Sequence, residues 1–115
     1  MIVFKSKASP MLDRLSQKLD VAGIEDYDIV DDIPDDHISI TGELSNTEIY
    51  FPEKYEYSQY DIDDYIRSLG TGLRTSTTID RDMTILKIKA RLTETQYFKL
   101  VKFIIDTEEF CSIVN

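Results

Sequence analysis

Fourteen of the chain's 22 acidic residues lie between Glu25 and Tyr65, where Lys54 is the only Lys or Arg. This segment stands at −13, and the rest of the chain at +4. Unpaired carboxylates are not buried, so the acidic side chains of the segment are expected at the surface. Asp31-Asp32 and Pro34-Asp-Asp36 disfavour a central strand. Tyr27, Ile29 and Ile33 are therefore expected on an edge strand that runs into a loop. Six of the seven tyrosines share the segment: Tyr27, Tyr50, Tyr55, Tyr57, Tyr60 and Tyr65. A negative field interleaved with amphipathic rings suits a surface that grips a basic partner.

Periodicity supplies the elements. Met1 to Phe4 reads as a short strand. Ser9-Pro10 opens a helix expected at about 10–22, with Met11, Leu12, Leu15, Leu19 and Ala22 at helical spacing before Gly23. Ile38, Ile40 and Leu44 alternate with polar residues, Ser45-Asn46 turns, and Thr47, Ile49 and Phe51 return, which predicts a hairpin ended by Pro52. Ser58 with Asp61 resembles a capping box for a second helix at about 59–69, with Ile62, Tyr65, Ile66 and Leu69 inward and Asp61, Asp63 and Asp64 outward. Leu73 to Ile79 and Met83 to Leu92 read as a strand pair joined by Asp80-Arg-Asp82. Thr93 with Gln96 caps a third helix at about 94–106, apolar on more than one side and so expected to be the most buried. Phe110 to Val114 is expected to form a last short strand.

Hairpins separated by helices predict an α+β fold, a single-layer antiparallel sheet with about three helices packed mainly on one face, and the first half resembles a split β-α-β arrangement. A length of 115 residues, 42% hydrophobic and 30% charged, fits one globular domain over residues 1–115. The single cysteine excludes an internal disulfide. No apolar run is long enough for a signal peptide or a membrane span, so the expected location is the cytoplasm. A net charge of −9 opposes direct binding to nucleic acid or to an acidic membrane.

The chemistry-bearing residues point away from catalysis. The aspartate pairs of Asp28-Ile-Val-Asp-Asp-Ile-Pro-Asp-Asp lack the glycine and the alternation of a calcium loop, so they read as solvated surface, with no metal and no cofactor. His37 follows Asp35-Asp36, but adjacent residues on an extended chain point to opposite faces. It reads as an exposed histidine with its pKa raised by carboxylates, and no nucleophile accompanies it. Cys111, near Phe110 and Ile113, reads as a small buried hydrophobe. Gly70-Thr-Gly72 follows a helix rather than preceding one, so it is a helix end and not a phosphate loop. Lys87, Lys89 and Arg91, with Arg74 on the neighbouring strand, form a basic strand face. That face is either solvated or neutralises part of the acidic half, with nucleic-acid contact as the other reading.

Asp26-Tyr-Asp28 and Glu53-Lys-Tyr-Glu-Tyr57, in a small acidic α+β chain, resemble the immunity proteins that accompany bacterial contact-dependent inhibition toxins. The resemblance is one of general character and implies a non-enzymatic inhibitor that occludes the nucleic-acid cleft of a basic nuclease toxin. The partner-binding residues expected from charge and rings are Asp28, Asp31, Asp32, Asp35, Asp36, Glu53, Tyr55, Glu56, Tyr57, Tyr60, Asp61, Asp63 and Asp64. The alternatives are a phage-encoded inhibitor of a host defence nuclease, mimicking nucleic-acid charge, and a non-catalytic adaptor or self-associating subunit. The sequence leaves the oligomeric state open.

Overall fold

Ile2, Val3 and Phe4 are buried without alternation, the mark of a strand covered on both faces. The computed structural model describes residues 2–5 and 10–114, with the backbone alone for 111–114. Along the chain run β1 (Ile2–Lys5), α1 (Pro10–Val21), β2 (Tyr27–Val30), β3 (Ser39–Thr41), β4 (Glu48–Phe51), α2 (Ser58–Leu69), β5 (Thr75–Asp80), β6 (Met83–Ile88) and α3 (Glu94–Val114). A 3-10 turn over Glu53–Tyr55 precedes α2. The expected contributions of Met1, of Ser9 as a cap and of the Cys111 side chain lie outside the described residues.

The strands form one six-stranded sheet in the order β2-β1-β3-β4-β6-β5. The fold is α+β with three helices, but the expectation of an antiparallel sheet is corrected: β1 runs parallel to both β2 and β3, and only the other pairs are antiparallel. The cause lies in the connections. α1 occupies the β1–β2 link, and a helical crossover returns the chain to the same end of the sheet, which enforces parallel pairing.

From β2 the chain reverses direction across the sheet to reach β3, stepping over β1. Such crossovers are right-handed as a rule, and two of them in opposite senses are expected to put α1 and the 31–37 connection on opposite faces. Val3 and Ser39 are consistent with this. They lie side by side on the face opposite Phe4 and Ile40, outside the main apolar cluster, yet both are buried.

The core is built on a register row. Phe4, Ile40, Ile49 and Leu86 stand opposite one another on β1, β3, β4 and β6. Leu12, Leu15 and Leu19 of α1, Ile62 and Ile66 of α2, and Tyr97, Leu100, Val101 and Ile104 of α3 join them in one cluster. α3 packs on α2 and touches β1, and α2 touches β6. Arg14 of α1 reaches α3, where its Nε donates to Glu94 Oε1 at 2.8 Å. That contact is the main cause holding the exposed Glu94 carboxyl below its ordinary pKa.

Two local expectations fail. Residues 110–114 continue α3 instead of forming a strand. Neither glycine nor proline intervenes, and Val101, Ile104, Ile105 and Glu108 keep the buried helical spacing through the polar stretch. The Glu108 carboxyl is raised above its ordinary range, chiefly by that burial. Ser58 is the first residue inside α2 rather than its cap. The cap position falls on Tyr57, which makes no side-chain capping bond.

Candidate partner-binding groove

α2 turns Ile62 and Ile66 into the core. Residues 61, 64 and 65 therefore lie on one flank, related by i, i+3 and i+4. On α3, Phe103, Asp106, Thr107 and Phe110 form the equivalent stripe at i, i+3, i+4 and i+7. The two stripes meet along the α2–α3 seam and line an open groove of about 460 Å³. At its base the Tyr65 and Phe103 rings stack, with centroids 4.1 Å apart and planes 4° from parallel. Asp61, Asp64 and Asp106 supply three carboxylates, and no cation is among the groove's described lining residues. Phe110 leaves an exposed apolar ring at the rim.

Such a lining is chemically specific. The outer faces of stacked rings attract a cation through the aromatic quadrupole, and carboxylates bind a guanidinium or ammonium through charge-assisted hydrogen bonds. Among the described residues, no group of three or more His, Cys, Asp or Glu side chains is disposed to hold a metal ion. The spread of the carboxylates suits a long basic side chain better than a point ion.

The expected binding residues divide on folding. Asp61 and Asp64 enter the groove. Tyr57 and Tyr60, 76% and 62% exposed, stand one turn earlier. Tyr57 continues the Asp61 stripe at helical spacing. Glu53 is exposed and Glu56 half-buried.

Two residues expected at the surface are corrected. Tyr55 is only 3% exposed and belongs to the core, because the 3-10 turn after Pro52 swings its ring inward, while the Lys54 ammonium lies 5.2 Å from its centroid. Asp63 is half-buried and committed internally: Thr75 Oγ1 donates to its Oδ1, and Arg67 Nη2 lies 3.3 Å from its Oδ2. It ties α2 to β5.

The remaining acids lie elsewhere. Asp28 is on β2, with Asp31 and Asp32 just beyond it, and all three are exposed. β2 is the sheet edge opposite β5, five strand spacings or roughly 24 Å away. Asp35 and Asp36 occupy the connection to β3, where Asp36 Oδ2 lies 3.7 Å from His37 Nε2. His37 is half-buried rather than exposed. The acidic segment is thus distributed over two regions of the molecule. Of the expected basic strand face, Lys87 stands directly across the ladder from Glu48, whereas Lys89 and Arg91 are exposed but lie beyond the end of β6 at Ile88, so the strand face is shorter than expected.

Phe103, Asp106, Thr107 and Phe110 were not singled out from the sequence as site residues. The available signal was the second apolar stripe of α3, read there only as burial. Comparisons of the chain with protein-family models, curated proteins and solved structures return no match.

Proposed function

We propose that the chain is a small acidic protein-binding inhibitor, an immunity protein that neutralises a basic nuclease toxin by occupying its nucleic-acid cleft. The observation that carries the reading is the α2–α3 groove, where three carboxylates surround a stacked aromatic pair. A nuclease cleft is rich in Lys and Arg, and one such side chain fits this lining. Asp28, Asp31, Asp32, Asp35 and Asp36 add a longer-range negative field that steers encounter, while the groove, Tyr57 and Tyr60 supply the desolvated contacts. In this reading all three helices lie on the sheet face that carries Phe4, Ile40, Ile49 and Leu86. Among the described residues no helix is long and apolar enough to cross a membrane, and the inhibitor acts in the cytoplasm.

The test is capture of the adjacent gene's product, followed by association kinetics at low and high salt. The expected result is retention of one basic protein, loss of its nuclease activity, and slower association as salt rises. The double reversal Asp61→Lys with Asp64→Lys should slow association by about tenfold or more and raise dissociation, because it acts on both field and groove. Reversing Asp31 and Asp32 should slow association alone. If the Asp61/Asp64 reversal changes neither rate, the groove is not the contact.

A further inference from the structure

The two edges of the sheet are protected differently. β2 has four residues, carries Asp28, and runs into Asp31-Asp32. Short length and charge blunt such an edge against pairing. β5 has six residues, and from Thr75 to Ile79 it contains neither charge nor proline. All of Thr77 to Asp80 is exposed, with Ile79 at 76%.

The backbone phase of this free edge follows from the ladder. Thr75 stands opposite Ile88, so Arg74 stands opposite Lys89, and Lys89 N–H donates to the Arg74 carbonyl at 2.7 Å. Ile88 N–H donates the other way, to Thr47 at 3.0 Å. In an antiparallel ladder this alternation is continuous. Residues 74, 76, 78 and 80 therefore direct their backbone groups at β6. Thr75, Thr77 and Ile79 turn theirs outward, unpaired within the sheet.

The geometry points to a second copy of this chain as the partner of β5, through an antiparallel β5–β5 pairing about a two-fold axis at Thr77. An axis perpendicular to the sheet requires facing residues of equal parity, and the outward groups are the odd ones. Centring on Thr77 opposes Thr77 with Thr77 and Thr75 with Ile79 in both directions, so every outward N–H and C=O finds a partner. The same register sets Arg74 of each copy against Asp80 of the other, two ion pairs of opposite sign that close both ends of the ribbon. Each exposed Ile79 gains Leu73 of the other copy as a diagonal neighbour on the same face. Centring on Thr78 instead sets Asp80 against Ser76 and brings Arg81, in the turn at φ 57°, opposite Thr75, so both end pairs are lost. The result is a continuous twelve-stranded sheet. This pairing does not rest on the inhibitory role, because none of the groove's lining residues lies on β5.

The experiment measures mass against concentration by sedimentation, with the far-ultraviolet spectrum as the check on folding. The chain should pass from monomer to dimer as concentration rises. Thr77→Pro removes an outward N–H without touching a β5–β6 bond, and should abolish the dimer. Arg74→Asp and Asp80→Arg, each placing like charges in opposition, should weaken it about tenfold, and the double exchange should restore it. Because both residues are exposed, these variants decide the matter even if Thr77→Pro does not fold. With Cys111→Ser removing the chain's own thiol, Thr77→Cys should give a covalent dimer on oxidation, since hydrogen-bonded antiparallel partners lie about 5.5 Å apart. A monomer at every concentration overturns the inference, as does a dimer that the double exchange fails to restore or that Thr77→Cys fails to trap.

Discussion

Gly42 shows how one residue can control a hairpin. It sits at φ 81° just after β3, and a Cβ there would meet the Asn46 carbonyl oxygen at 2.2 Å. That oxygen cannot retreat easily. Asn46 Oδ1 accepts from Glu43 N at 2.7 Å, and Asn46 N donates to Glu43 O at 3.2 Å. Gly72 has a similar φ of 86° but open space around it. Gly42→Ala should therefore cost about 2 kcal/mol or more, against about 1 kcal/mol for Gly72→Ala, as read by urea unfolding. Equal costs would mean that the Asn46 loop yields freely. Tyr55 and Asp63 carry the complementary lesson: two residues of the acidic, tyrosine-rich segment have internal roles that their composition did not reveal.

Among elements, the start of α3 is joined to the end of α2 by one side chain. Gln96 N donates to Thr93 Oγ1 at 3.1 Å, Thr93 N donates to Gln96 Oε1 at 2.9 Å, and Gln96 Nε2 donates to the Leu69 carbonyl at 3.2 Å. Thr93→Ala removes the hydroxyl half of the cap and should cost about 1 kcal/mol. Gln96→Ala removes the other half and the Leu69 bond as well, so about 1–2 kcal/mol is expected. Equal losses in the two variants would show that the bond to α2 contributes nothing. The reciprocal cap was legible in Thr93 and Gln96, and the β3–β4 hairpin in the alternation around Ser45-Asn46, because both are local. The parallel pairing of β1 with β2 was partly legible, since a helix between two strands suggests a split β-α-β arrangement, but the pairing of β1 with β3 was not, since strands of three or four residues carry no mark of their partner's direction. The length of α3 was missed because Phe110 and its neighbours suit a strand as well as a helix. The groove was half legible: Asp61 and Asp64 announced themselves by charge, while Phe103 and Asp106 became part of a site only when α3 was laid against α2.

For the molecule as a whole, the −13 segment does not act as one surface. Asp28, Asp31 and Asp32 sit at one sheet edge, Asp61 and Asp64 sit on the α2–α3 seam, and Asp63 braces β5 from within. That brace sets the strand whose far side is unpaired. The stacked rings in the groove also have an optical consequence. The chain has no tryptophan, so its ultraviolet emission comes from seven tyrosines, and Tyr65 lies 4.1 Å from Phe103 in the groove itself. A cation seated against that pair alters the surroundings of a single fluorophore. The emission change on binding should therefore shrink in Tyr65→Phe, the remainder coming from Tyr57 and Tyr60 at the same contact, and the difference from the wild-type protein reports occupancy of the groove without a label.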